Sequence, residues 1–87
     1  MHLDEYEISL SREVGVCKSY IRRYQRLLDR MEARYGITTA AFKDQYGNAP
    51  SSEDNHDFAV WFEASEAINT WQTRQREYEK EYRLMKI

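Results

Sequence analysis

The chain has 87 residues, 41% of them hydrophobic and 32% charged, with a net charge of -2. That length suits one small domain, and no apolar run approaches the roughly 20 residues that a membrane span needs. A single cysteine, Cys17, excludes an intramolecular disulfide framework. The start, Met1-His2-Leu3-Asp4-Glu5, has neither the basic nor the apolar region of a signal peptide, so the expected compartment is the cytoplasm.

Residues 1–10 open with an alternation of Tyr6, Ile8 and Leu10 against Glu7 and Ser9, which predicts an extended or frayed arm. Asp4 followed by Glu7 is also a capping-box-like helix start. From Leu10 onward, Val14, Cys17, Tyr20 or Ile21, Tyr24, Leu27 or Leu28, Met31 and Tyr35 recur at steps of three and four. This stripe predicts an amphipathic helix over residues 11–35, ended by Gly36 in the left-handed position. Thr38 or Thr39 is placed to cap a short helix over 39–46, bearing Phe42 and Tyr46, and Gly47 with Asn48-Ala49-Pro50-Ser51-Ser52 predicts a loop over 47–54. A second long helix is expected over 55–84, with Ser52, Asp54 or Asn55 as its cap. Its stripe is Trp61, Ala64, Ile68, Trp71, Gln75, Tyr78, Tyr82 and Met85.

The predicted fold is therefore all-α: an antiparallel hairpin of two long helices with a short helix at the turn. Two helices cover only one face of each other, yet Phe58, Val60 and Phe62 flank one stripe, and Tyr20 with Ile21 and Leu27 with Leu28 double the other. This surplus predicts a homodimeric four-helix bundle, or docking on a protein partner. Tyr6, Ile8, Tyr78, Tyr82 and Met85 are the candidate partner-binding residues: the end of the second helix is expected to project beyond the first helix's clear periodicity as an exposed aromatic and Met-bearing tip, and the Tyr6 to Leu10 segment to pair as an added strand or to order on binding.

Charge is unevenly spread. Between Ser9 and Gly36 there are seven basic residues against three acidic ones, and Lys18, Arg22, Arg26, Arg30 and Arg34 follow at four-residue steps. With Tyr20 and Tyr24 between them, they form a candidate nucleic-acid stripe, cations for phosphates and rings for bases. The competing expectation is a solvated face that helps select the hairpin register, with Arg30 opposite Glu63 and Arg26 opposite Glu66.

Catalytic constellations are not visible. There is no HExxH, CxxC or Walker-type run, and Cys17 falls on the apolar stripe as a small buried hydrophobe. Glu63 and Glu66 lie one turn apart, as in di-metal bundles, but no Glu-x-x-His accompanies them. No enzyme activity, cofactor or metal is expected.

The order Leu28-x-x-Met31-x-x-x-Tyr35-Gly36-Ile37-Thr38-x-x-x-Phe42, followed by Asp57-Phe58-x-x-Trp61, resembles small prokaryotic helical-hairpin proteins with a Tyr-Gly-apolar-Ser/Thr turn, some of them antitoxin-like. The resemblance covers about residues 28–71, and this chain departs from it in arms that are richer in Tyr and Arg than in Leu. It implies a non-catalytic partner that neutralises a small toxin by covering it with a helix or an extended segment.

Overall fold

The computed structural model describes residues 5–46 and 55–85. Three helices follow in order, α1 (Glu5–Tyr35), α2 (Thr39–Tyr46) and α3 (His56–Met85). No strand occurs among the described residues. The long helices α1 and α3 pack side by side and antiparallel, and α2 packs on α3 near the turn.

One expectation is corrected here. Residues 5–10 are not an extended arm but the first turns of α1, which starts six residues before the expected Ser11. Alternation requires Tyr6, Ile8 and Leu10 to share a face, yet Leu10 is buried while Tyr6 and Ile8 are exposed. On a helix, Tyr6 and Leu10 are one turn apart and Ile8 turns away from Leu10 by about 160°. The stripe simply continues toward the N-terminus through Leu10 and Glu7, both buried, with Glu5 and Glu7 favoured in the first turn by the helix dipole. Residues 1–4 and the expected 47–54 loop lie outside the described residues.

The helix ends are set by local chemistry. Gly36 adopts φ +70° and its N–H donates to the Glu32 carbonyl at 2.8 Å, a left-handed cap that a side chain would strain. Of the two threonines, Thr38 caps α2, its Oγ1 accepting from Ala41 N–H at 3.1 Å, while Glu32 Oε2 accepts from Thr39 N–H at 2.7 Å. Asn55 caps α3, its Oδ1 accepting from the N–H groups of Asp57 and Phe58.

The core lies at the turn end. Leu28, Met31, Phe42, Trp61, Ala64 and Ile68 form one buried cluster. Phe42 stacks flat on Trp61, with centroids 4.0 Å apart and planes 2° apart, and the Trp61 indole N–H donates to Thr39 Oγ1 at 3.0 Å. Tyr35 and Phe58 close around the same indole. Toward the other end the buried apolar side chains among the described residues reduce to Cys17 and Leu10.

Pairs across the hairpin fix its register. Tyr35 meets Asp57, Tyr20 stacks on Trp71 and Tyr6 meets Glu81. The molecule measures 57 × 21 × 19 Å, with a radius of gyration of 16.9 Å against about 12 Å for a rounded domain of this length. Its 6424 Å² of accessible surface exceeds the roughly 5,400 Å² expected of a compact monomer of this mass.

Candidate interaction surfaces

Three surfaces emerge: the open end of the hairpin, the outward side of α1, and the flank of the hairpin away from α2.

At the open end, Tyr6 and Ile8 stand 57% and 44% exposed, and Leu84 opposite them 61%. The Tyr6 hydroxyl donates to Glu81 Oε2 at 2.7 Å, and this hydrogen bond to a carboxylate, together with its negative charge, raises the phenol above its usual pKa. Tyr78, Tyr82 and Met85 are half-buried. Tyr82 reaches between the helices, lining one cleft of about 320 Å³ with Val14, Lys18 and Arg83, and another with Ile8 and Arg12. Because α1 extends to Glu5, the tyrosines of α3 lie alongside it rather than projecting beyond it.

The five cations at four-residue steps are all exposed. Each step turns them by about 40°, so from Lys18 to Arg34 the row sweeps about 160° around α1. Its ends therefore return to the seam with α3. Lys18 lines the open-end cleft beside Glu79, and Arg34 donates to Asp57 Oδ2 at 2.8 Å. The Tyr35 hydroxyl donates to that same oxygen at 2.7 Å. Hydrogen bonds from Tyr35 and then Arg34 hold the Asp57 carboxyl below the ordinary carboxylate range, while the bond to Asp57 raises both Tyr35 and Arg34.

The expected pairings of Arg30 with Glu63 and Arg26 with Glu66 do not form within the chain. Glu66 instead accepts from Lys43 of α2 at 3.1 Å, which puts α2 rather than α1 opposite it. Among the described residues, no ion pair engages Lys18, Arg22, Arg26, Arg30 or Glu63. Tyr20, expected among the cations, has its ring stacked on Trp71 at 4.4 Å, with the Arg23 guanidinium 5.3 Å from its centroid. Arg74 lies over Trp71 in the same way, at 4.9 Å.

The third surface was visible in the sequence only as doubled apolar positions. Tyr24 and Leu27 of α1, with Val60, Glu63, Ala64 and Ala67 of α3, line a shallow groove of about 340 Å³. Next to it run the Tyr24, Tyr20 and Trp71 rings, each half-buried.

Cys17 is fully buried, and burial followed by the nearby Glu13 charge pushes its thiol pKa up, only partly opposed by Arg74. No group of three or more metal-ligating side chains occurs among the described residues, nor is any described helix long and apolar enough to cross a membrane. No family model, curated protein or solved structure matches this chain.

Proposed function

We propose that this chain is a non-catalytic protein–protein interaction module of the cytoplasm, an antitoxin-like partner of a small toxin, that acts as a homodimeric four-helix bundle. The observation that supports this most directly is the open end, where Tyr6, Ile8 and Leu84 present apolar surface beside clefts lined by Tyr82. Aromatic side chains at the tip of a paired helix suit insertion into a partner's groove, since they bring large contact area at small cost in conformational freedom. Co-expression with the product of the adjacent reading frame tests it. Joint purification that is lost in the Tyr6→Ala/Tyr78→Ala/Tyr82→Ala variant, with helicity unchanged, is expected. Purification of the two proteins apart, with the neighbour's activity unaffected, refutes it.

A second reading, a small helical nucleic-acid-binding or regulatory protein, draws on Arg22, Arg26 and Arg30, which are exposed and form no ion pair among the described residues. Retention of duplex DNA at moderate salt, falling steeply as salt rises and abolished by Arg22→Glu/Arg26→Glu, is the outcome that would put it first.

A further inference from the structure

We infer that the flank of the hairpin facing away from α2, built from Tyr20, Tyr24 and Leu27 of α1 with Val60, Ala67 and Trp71 of α3, is the face on which a second copy of this chain docks. This deepens the reading of the chain as an associating module and rests on it.

The two flanks of α3 are treated differently. Around Trp61, Phe58 and Phe62 lie on one side and Val60 and Ala67 on the other, with Val60 and Phe62 about 160° apart. α2 covers the first side, through Phe42 on Phe58, Lys43 over Phe62 and the Lys43–Glu66 ion pair. The second side has no covering element among the described residues. It nevertheless carries apolar residues in seven-residue steps, Val60 to Ala67 on α3 and Tyr20 to Leu27 on α1. Such steps return to within about 20° of the same direction, the pattern of a helix–helix seam rather than of a solvated flank.

The size of the face fits a second copy. A surface 57 Å long and 21 or 19 Å wide, buried over its central half to two thirds, removes roughly 600–800 Å² from each copy. That approaches the about 800 Å² per partner of a standard stable interface. It would also remove most of the surface that this chain exposes beyond a compact monomer of its mass.

Charge selects the arrangement. A two-fold axis across the hairpin would lay α1 antiparallel on α1 and bring the Arg23 and Arg30 cations of one copy toward those of the other. An axis along the hairpin sets α1 of each copy on α3 of the other, with every adjacent helix pair antiparallel. Glu63, on the rim of the groove, then comes level with Arg30 of the second copy, and neither has an ion pair among the described residues of its own chain. The pairing absent inside the monomer is thus available between monomers.

Sedimentation of the full chain, with circular dichroism alongside, tests the proposal. The wild type should sediment at twice its 10.5 kDa mass. Ala67→Glu, which places a charge in the groove at a position where helix propensity changes little, should weaken the dimer by about 100-fold or more with helicity retained. Leu84→Glu, at the open end, should leave it intact. Glu63→Arg should weaken it and Glu63→Arg/Arg30→Glu should restore it, which keeps the test decisive if Ala67→Glu fails to fold. A dimeric, helical Ala67→Glu protein, or no rescue by the charge swap, overturns this face while leaving the bundle reading in place. A wild type that is monomeric up to its solubility limit overturns both.

Discussion

Truncating Trp61 should separate the turn end of the hairpin from the rest. Trp61 is 0% exposed, lies flat against Phe42 at 4.0 Å and donates to Thr39 Oγ1, so it holds α2 onto α3 by both packing and a hydrogen bond. Tryptophan-to-alanine changes in cores cost about 3–5 kcal/mol. A domain of this length holds only about 4–13 kcal/mol in all, at the usual stability per residue. Trp61→Ala should therefore remove roughly a quarter or more of the total and expose the amides of 39–46 to rapid hydrogen exchange. Trp61→Phe retains most of the stack but loses the indole donor, for about 1–2 kcal/mol, a fall in Tm of roughly 5–15 °C. Trp71→Ala, at a half-buried site where Tyr20 and Arg74 supply the contacts, should cost less than Trp61→Ala. Urea titrations at one fixed protein concentration, followed by far-ultraviolet circular dichroism, compare the three on equal terms, because association makes stability concentration-dependent. A loss below about 1.5 kcal/mol for Trp61→Ala, or equal losses for the two tryptophans, would refute the placement of the core at the turn.

The two glycines described should respond in opposite ways. Gly36→Ala forces a side chain into φ +70° and should cost about 1 kcal/mol, whereas Gly15→Ala, inside α1 where an added Cβ meets no atom within 4 Å, should stabilise by up to about 1 kcal/mol; thermal melts that rank them the other way would refute this. Asp57 titrates below the ordinary aspartate range, so it binds its proton less readily folded than unfolded. Its stabilisation should be complete above the unfolded value of about 4 and vanish as pH falls through the lower folded value. Asp57→Asn should flatten that part of the acid limb of Tm against pH, and an unchanged limb would contradict the Tyr35 and Arg34 hydrogen bonds. Cys17, fully buried with a raised thiol pKa, should resist a thiol-specific reagent in the native protein and react rapidly in urea; fast native reaction would place it outside the seam.

The helices at the turn were legible because their signals are local. Tyr35-Gly36 at the end of α1, a threonine cap before α2 and a cap among Ser52, Asp54 and Asn55 before α3 each act over a few residues, so residue type narrows each to a few positions, of which the hydrogen bonds select Thr38 and Asn55. The start of α1 was misread because Tyr6, Ile8 and Leu10 fit a strand's period as well as a helix's over so short a window. What decides between them is that α3 runs to Met85, which gives the first turns of α1 something to pack against, and this is not written in residues 5–10. Ion pairs were less legible still. Arg30 and Glu63 sit near the same level of the hairpin, as expected, but being level does not make two side chains face each other.

Both the basic row and the doubled apolar positions follow from one mismatch in helix geometry. A straight helix turns 3.6 residues per revolution, so a seven-residue pattern slips by about 20° each repeat, and over the four or so repeats of α1 by about 80°. No single row can then face α3 throughout. Doubling at Tyr20 with Ile21 and Leu27 with Leu28 keeps an apolar side chain in the seam as it drifts, leaving Tyr20 and Leu27 only half-buried on one flank. The cations, stepping by four, slip the opposite way and faster, which takes Lys18 and Arg34 to the seam edges and leaves Arg22, Arg26 and Arg30 facing outward. Had the doubled residues served the seam alone, α2 would be expected to cover the flank where they emerge. It covers the other one, and on that asymmetry the case for a second copy stands.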